Sequence, residues 1–390
     1  MQNKDFTKSN NNNILIFIDW FLPGTNSGGP VRSVANMVDH LKEFNFYIIT
    51  RNTDYCSTEA YANIEPNQWI QHTENVRVYY FSEEQLSKAK LQEVIESVDS
   101  DIIYINGIYS KFFSIAPLQI AMHSRLNTIV AARGMLSPHA LAVKAFKKNL
   151  FLSLMNAKNT YKKVVFHATN EQEQKDIDRV IKRYTETKVI PNFPRKIETA
   201  EHQPIEKKEG QVRLISLGRI AEEKGTLVSL EALKGCKGEA TLDLYGTIYN
   251  QSYWDKCKAV IKTLPENISV DYKGTLRSDH VMHTLSQYHF LLLPSKGENY
   301  GHSIVESFMA NRPVIISKNT PWKNLEEKNI GYDVEESELS NTIQQVIAIN
   351  EEKYNKKCEA ISDQIEKLLK VDKLKEKYKK LFSGNSKQAQ

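Results

Sequence analysis

Two carboxylates and two cations are the side chains whose types and spacing most readily suggest chemistry. Glu298 and Glu306 form a Glu-x7-Glu pattern in which an apolar run, 291–293, enters a polar loop holding Asn299, Tyr300 and Gly301. That loop opens a helix at His302-Ser303, with Glu306 about one turn inside it. The first amides of a helix have no intrahelical partner and sit at the positive end of its dipole, so they attract phosphate. Carboxylates beside them can accept hydrogen bonds from the paired hydroxyls of a sugar or a ribose. Some 79 residues earlier, the run Leu217-Gly218-Arg219 leads to Lys224-Gly225. Two fixed cations at a strand exit stabilise the charge that builds on a departing diphosphate more than they stabilise the resting one. Arginine bridges phosphate oxygens bidentately and lysine supplies a point charge. Taken singly, each glutamate is explained by the acid preference of helix starts, and each cation by an ordinary loop surface. Their order and combination favour the chemical reading.

The elements that must position these groups alternate along the chain, as parallel sheets covered by helices do. Strands are expected at 14–19, 46–50, 76–81, 102–106, 128–132, 164–168 and 188–190, with helices over 30–42, 83–98 and 170–183 among them. The alternation restarts with strands at 212–217, 240–245, 269–272, 290–293 and 313–317 and helices at 226–233, 253–263, 278–287 and 302–310. A lysine-rich helical tail covers 340–382. In open α/β sheets ligands bind beyond the carboxyl ends of the strands. Gly28-Gly29, Asn106, Arg133 and His139 in the first half, and Gly274-Thr275 in the second, all follow expected strands. A glycine pair opening a helix lets the backbone approach a phosphate.

These motifs resemble the GT-B retaining glycosyltransferases of family 4. The resemblance is carried by Glu-x7-Glu around Asn-Tyr-Gly and by Gly-Arg-x4-Lys-Gly, and more loosely by Arg133-Gly134-Met135-Leu136-Ser137-Pro138, which is similar to a subset acting in bacterial surface polysaccharide assembly. It implies an α/β GT-B fold, two Rossmann-like domains facing each other across a cleft. It also implies retaining transfer from a UDP- or GDP-sugar to a saccharide or lipid-linked saccharide. Carried over, Arg219 and Lys224 hold the diphosphate and Glu298 the donor sugar. Glu306 holds the ribose, and Gly28, Gly29, Gly218, Asn299, Tyr300, Gly301, His302 and Ser303 line the donor. Gly274 and Thr275 read the base, and Asn106, Arg133 and His139 face sugar or acceptor. The family often has His-Gly where this chain has Asn106-Gly107. The family mechanism proceeds by front-face departure and attack, with no side-chain general base.

The implied layout is a disordered start over 1–13, an N-terminal Rossmann-like acceptor domain over 14–195 and a linker over 196–210. A C-terminal nucleotide-sugar-binding domain covers 211–365, a final helix over 366–383 returns to the first domain, and a disordered tail covers 384–390. At 390 residues the chain has room for about two domains, and its 41% hydrophobic and 25% charged content is that of a soluble globular protein. No run reaches the roughly 20 apolar residues of a membrane span. The polar start carries no secretory signal. Cys56, Cys236, Cys257 and Cys358 lack metal or disulfide spacing, which fits the cytoplasm. Asp99-Ser100-Asp101 resembles a metal motif but precedes a strand, at the wrong edge of a sheet, so no divalent metal or other cofactor is expected.

Net charge is +5, yet residues 102–170 hold nine Lys and Arg and no Asp or Glu. Within 144–163 the lysines alternate with bulky apolar residues, a pattern suited to an anionic membrane surface from the cytoplasmic side. No nucleic-acid motif accompanies it. Two rival functions remain: a nucleotide-sugar epimerase of the same fold, and a non-catalytic nucleotide-sugar-binding partner.

Overall fold

The computed structural model describes residues 12–124, 126–196 and 205–383. Of the disorder expected over 1–13 and 384–390, residues 1–11 and 384–390 lie outside the described residues, as do residues 197–204 of the expected linker, while Asn13 already stands in the first strand. The chain divides into two compact units, Met1–Phe193 with Asp372–Gln390, and Pro194–Val371.

The first unit contains β1 (Asn13–Phe17), α1 (Gly29–His40), β2 (Asn45–Arg51), β3 (Trp69–Thr73), β4 (Val76–Phe81), α2 (Lys88–Glu96) and β5 (Ile102–Asn106). It continues through α3 (Ala116–Met122), β6 (Asn127–Ala131), α4 (Pro138–Ala142), α5 (Ala145–Ala157), β7 (Val164–Ala168), α6 (Glu171–Val180) and β8 (Glu186–Val189). Its sheet runs β3-β4-β2-β1-β5-β6-β7-β8, parallel throughout except where β3 meets β4. The central strands are near-continuous apolar runs, as strands covered on both faces must be: β1 is Asn-Ile-Leu-Ile-Phe, and β5 is buried at every position.

The second unit contains β9 (Gln211–Leu217), α7 (Thr226–Leu233), β10 (Glu239–Tyr245), α8 (Gln251–Ile261), β11 (Ile268–Gly274), α9 (Val281–Leu285) and β12 (Phe290–Leu293). Then come α10 (His302–Met309), β13 (Val314–Ser317), β14 (Gly331–Val334), α11 (Leu339–Ala348) and α12 (Glu351–Leu369). Its sheet, β11-β10-β9-β12-β13-β14, is wholly parallel. The period of two in a strand divides β12 between two cores: Phe290 and Leu292 join Leu214, Leu242 and Leu244, while Leu291 and Leu293 join Ile215, Leu217, Ile304 and Phe308. α13 (Val371–Phe382) supplies the first unit with Tyr378, stacked on Phe193 at 4.7 Å, and Phe382, edge-on to Phe44 at 5.5 Å and to Tyr104 at 5.9 Å.

Several expectations need correction. The helix expected over 83–98 is interrupted: Ser87 is extended and its hydroxyl accepts the Lys90 amide, so α2 starts afresh at Lys88. The tail is three helices: Ile349 is extended and Asn350 caps α12, and Lys370 takes a left-handed φ of 47° that breaks α12 from α13. The returning helix therefore begins at Val371 and not at 366. β3 and β14, both edge strands, were not foreseen, and β8 begins two residues earlier than expected.

Candidate functional site

In the second sheet β9 connects outward to β10 on one side, while β12 lies on its other side and leads to β13 and β14. The strand order therefore reverses between β9 and β12, and the loops leaving those two strands diverge to leave room for a ligand. The first of these loops carries Gly218, Arg219 and Lys224, and the second carries 294–301 with Glu298.

The two loops are locked together. Gly225 has φ +73°, and a Cβ there would stand 2.2 Å from the Pro294 carbonyl oxygen, so only glycine admits this approach. The Lys296 amide donates to the Glu223 carbonyl at 2.9 Å, and Lys296 Nζ meets Glu222 at 2.5 Å. With the loops so joined, Lys224 Nζ donates to Glu298 Oε1 at 2.6 Å, with side-chain exposures of 22% and 11%. The Lys224 stem crosses Gly218, its Cδ lying 3.6 Å from where a Cβ would stand. Arg219 is held differently. Its Nη2 donates to Glu223 Oε1 at 3.0 Å, and its guanidinium lies over the exposed Tyr249 ring at 5.1 Å.

α10 begins on Gly301, whose φ is +77° and which offers no side-chain cap. Among the described helices three start on a glycine cap: α1 on Gly28, α7 on Gly225 and α10 on Gly301. All three follow a strand at a reversal of sheet order (β1, β9 and β12). Elsewhere Ser87, Ser137, Asn170, Asn250 and Asn350 cap α2, α4, α6, α8 and α12, each accepting a first-turn amide through its side chain. A glycine cap offers no oxygen that would compete with an anion for the opening amides.

His302 and Ser303 supply the first two residues of α10. Asn299 is half-buried, and the Tyr300 side chain is buried against Trp322, whose Nε1 donates to the Tyr300 carbonyl at 2.7 Å. The Tyr300 ring is therefore a wall of the loop, and only its backbone can meet a ligand. Glu306 is 4% exposed, with Arg195 Nη2 at 4.0 Å. Arg195 also donates through Nη1 to the Ser278 carbonyl at 2.6 Å.

Beyond β10 and β11 the backbones close up. A Cβ on Gly246 would lie 1.9 Å from the Gly218 carbonyl oxygen, and the Gly246 amide donates to the Gly274 carbonyl at 2.8 Å. Gly218, Gly246 and Gly274 thus stand side by side at three neighbouring strand exits, with Thr275 exposed beyond them.

In the first unit the order reverses between β1 and β5. Gly28 and Gly29 leave β1 and open α1, and Asp54 holds their loop by accepting the Thr25 and Asn26 amides at 3.0 and 3.2 Å. Ser110 Oγ, after β5, donates to Asp19 Oδ1, after β1, at 2.6 Å. Asn106 and Arg133 are brought together but turned inward. The guanidinium donates to Asn106 Oδ1 at 2.6 Å, to Asn192 Oδ1 at 2.7 Å and to the Tyr104 hydroxyl at 2.9 Å. Behind them the Tyr104 hydroxyl meets His167 Nδ1 at 2.7 Å, and His167 Nε2 meets the Ile190 carbonyl at 2.8 Å. Because a carbonyl only accepts, Nε2 carries the proton and Tyr104 donates to Nδ1. Burial, and then the Arg133 charge, push His167 down to about 3, which keeps it neutral. Glu173, 3% exposed, accepts the amides of Gly134 and Thr169 at 2.6 and 2.7 Å and so fixes the loop holding Arg133. His139 is exposed on the first turn of α4, apart from this network.

Sequence reading missed Gly246, Glu223, Tyr249 and Arg195 as neighbours of the candidate residues. A glycine at a strand exit was the available signal for Gly246. For the other three the link is spatial and leaves no local pattern.

Residues 197–381, just under half of the chain, match the family model of glycosyl transferases group 1. No curated protein matches the sequence. Solved structures match closely in shape. A sucrose-phosphate synthase from Thermosynechococcus elongatus is 17% identical with a TM-score of 0.68, covering 95% of this chain and 98% of that one. Anabaena HepE in complex with UDP and glucose is also 17% identical, with a TM-score of 0.68 and coverage of 95% and 99%. WaaG, a glycosyltransferase involved in lipopolysaccharide biosynthesis, is 13% identical with a TM-score of 0.65, covering 95% and 100%. Identity at this level speaks for fold. The chain therefore has the α/β GT-B fold of two Rossmann-like units, and its similarity to the group 1 glycosyl transferases, as far as the family model shows it, lies in the second unit and α13.

Proposed function

We propose that this chain transfers a sugar from a nucleoside diphosphate sugar, UDP or GDP, to a saccharide or lipid-linked saccharide acceptor. The anomeric configuration is retained, no divalent metal takes part, and the work belongs to surface polysaccharide assembly at the cytoplasmic face of a membrane. The observation that carries this reading is the Lys224–Glu298 contact of 2.6 Å where the order of the second sheet reverses, beside a helix that starts on glycine. A cation and an acid held there suit a ligand with an anionic and a hydroxyl-bearing part side by side.

In this reading the diphosphate lies against the first amides of α10, at Gly301, His302 and Ser303, with Asn299 beside it. Lys224 turns from Glu298 to the phosphate, and Arg219 leaves Glu223 to bridge its oxygens. Glu298 then accepts from the donor sugar and Glu306 from the ribose, while the backbone around Gly274 and Thr275 lies along the base. The bond from the anomeric carbon to the diphosphate breaks as the acceptor oxygen bonds to the same face. The acceptor proton passes to the departing phosphate oxygen, so no side-chain base is required. Charge gathers on the diphosphate as the bond breaks, which is when the two cations bind it most strongly. Gly28 and Gly29 contact the donor diphosphate or the acceptor from the first unit, and His139 faces the acceptor. The committed guanidinium of Arg133 gives it a positioning role beside Asn106.

Thermal unfolding against a panel of nucleotides and nucleotide sugars tests the donor. Ligand at one hundred times its Kd stabilises by about 2.7 kcal/mol. We expect one nucleoside diphosphate series to raise the Tm, beginning with uridine because HepE is solved with UDP. No shift with any member would overturn the donor site. Incubation of the matching sugar donor without acceptor should leave it mostly intact. Conversion to an isomer would mark an epimerase, and binding without transfer to any acceptor would mark a silent partner. Activity abolished by EDTA and restored by Mg2+ would refute the metal-free mechanism.

A further inference from the structure

α5 presents its apolar side to solvent. Phe146 is 81% exposed, Leu150 52% and Leu154 53%, and Val143, just before the helix, is 56% exposed. Four of the seven large hydrophobic residues that stand exposed among the described residues thus fall within 143–154. Spaced four apart, Phe146, Leu150 and Leu154 lie along one stripe. The opposite side holds Leu152 and Met155, buried in the core of the first unit, and Phe151, edge-on to Tyr109 at 5.5 Å. The stripe is not the core face of the helix, because that face is filled.

The charges around the stripe are of one sign. Lys147 and Lys158 lie on its Leu154 flank, Lys144 stands exposed before the helix, and Lys162 and Lys163 stand exposed after it. Lys148 belongs to the inner side, where it donates to the Ala140 carbonyl at 2.5 Å and lies over Tyr109. No Asp or Glu occurs anywhere in residues 102–170.

We propose that α5 is an interfacial helix, lying in the plane of an anionic bilayer surface with Phe146, Leu150 and Leu154 among the acyl chains and the flanking lysines at the headgroups. This goes beyond the donor reading and does not depend on it. An apolar outward stripe bordered by lysines suits that environment. At 13 residues α5 is too short to span a bilayer, and no helix among the described residues is long and apolar enough to do so. A second copy of the chain is the other apolar occupant to weigh. A two-fold contact through this stripe would bring the lysines on and beside α5 towards their own copies, whereas an anionic surface neutralises them.

Co-sedimentation of the full chain with vesicles tests the assignment. The chain should sediment with equal parts phosphatidylcholine and phosphatidylglycerol, should stay in solution with phosphatidylcholine alone, and should be released by salt. Phe146→Ser/Leu150→Ser/Leu154→Ser should lower partitioning at least tenfold. Lys147→Gln/Lys158→Gln should lower it about 30-fold, from the attraction per lysine at an anionic surface. Both variants alter exposed side chains, so circular dichroism and the nucleotide thermal shift should match the wild type. A wild type that ignores both vesicles, or a triple serine variant that sediments unchanged, overturns the proposal. So does a wild-type dimer that the triple variant converts to a monomer without any vesicle binding. Vesicle binding without any nucleotide shift would sink the donor reading and leave this one standing.

Discussion

Replacing Lys224 by Met separates what the Lys224–Glu298 pair contributes to the fold from what it contributes to transfer. Methionine keeps an unbranched stem to lie across Gly218 and removes only the charge. Glu298, with 11% of its side chain exposed, is then left without its 2.6 Å partner. Orphaning a fully buried partner costs about 3–5 kcal/mol. Lys224 retains 22% exposure, so water reaches part of the pair, and about 2 kcal/mol is the appropriate expectation. The catalytic loss has a different origin. A preorganised group aimed at developing charge is worth roughly a hundred- to a thousand-fold in kcat, and kcat should fall more than the donor KM rises.

The double variant Lys224→Met/Glu298→Gln distinguishes the two effects. It leaves no uncompensated charge, so stability should return to within about 1 kcal/mol of the wild type, while kcat stays at or below the level of the single variant. Urea unfolding followed by tryptophan fluorescence reads stability, because Trp20 and Trp69 report on the first unit and Trp254 and Trp322 on the second. Initial-rate assays with the donor found by thermal shift read kcat and KM. If the single variant loses stability but keeps more than a tenth of kcat, the pair is a structural tie and the cation assignment fails. If the double variant recovers activity together with stability, the loss in the single variant came from a distorted loop and not from a missing charge.

Three further outcomes follow from the geometry. Glu223→Gln should weaken the hold on Arg219, an exposed pair of the kind worth about 0.3–0.5 kcal/mol, so the donor KM should fall about two-fold with little change in Tm; a rise in KM would mean that Glu223 aims Arg219 and does not restrain it. Gly246→Ala would force a Cβ to within 1.9 Å of the Gly218 carbonyl oxygen at φ +148°, which should cost at least about 2 kcal/mol and abolish the nucleotide shift; wild-type stability would show that the strand exits can part freely. His289 accepts the Arg213 amide at Nδ1 and donates from Nε2 to the Glu206 carbonyl, and burial pushes it down to about 4. Because the unfolded chain protonates this residue near 6.5 and the folded one only near 4, its stabilising contribution is complete above pH 6.5 and is lost as pH falls through that window. At about 1.4 kcal/mol per pH unit, the second unit should lose about 2 kcal/mol between pH 7 and 5. In His289→Gln that part of the loss should vanish in urea titrations at the two pH values, and an unchanged loss would place its origin elsewhere.

What was legible in the sequence was whatever is local. Arg219, Lys224, Glu298 and Glu306 sit within a few residues of an apolar strand and a helix start, so their place at strand exits follows from alternation alone. The glycine between Lys224 and α7 was visible, but its task was not, because the carbonyl it clears belongs to Pro294, far along the chain. β3 escaped notice because an edge strand reading Trp-Ile-Gln-His-Thr lacks the apolar run of a covered one. The break before α2 was hidden because Ser87 reads as an ordinary polar helix residue until its hydroxyl is seen accepting the Lys90 amide. Arg133 was expected to face sugar or acceptor from the family resemblance of its segment. Asn106, Asn192 and Tyr104 take three of its five donors from three separate segments, and no spacing announces that.

The choice of helix cap joins these observations. A serine or asparagine cap satisfies an opening amide from within the chain and stabilises the helix by about 1 kcal/mol. Glycine in its place gives up only about a few tenths of a kcal/mol, and this chain uses it at the start of α1, α7 and α10, where the sheets reverse order. Asn250 and Asn350 cap from an extended backbone, with φ of −137° and −83°, whereas the three glycines stand at +71°, +73° and +77°. At Gly225 the close approach of Pro294 is sufficient reason for glycine. At Gly28 and Gly301 the backbone itself is left-handed, with φ of +71° and +77°, and a Cβ at Gly301 would also stand 2.7 Å from Ile304 Cδ1, so glycine is favoured at those two caps as well. The same left-handed start that favours glycine leaves each opening turn without a side-chain oxygen on its amides, and at α7 and α10 this falls on the strand exits where charged side chains gather in the second unit.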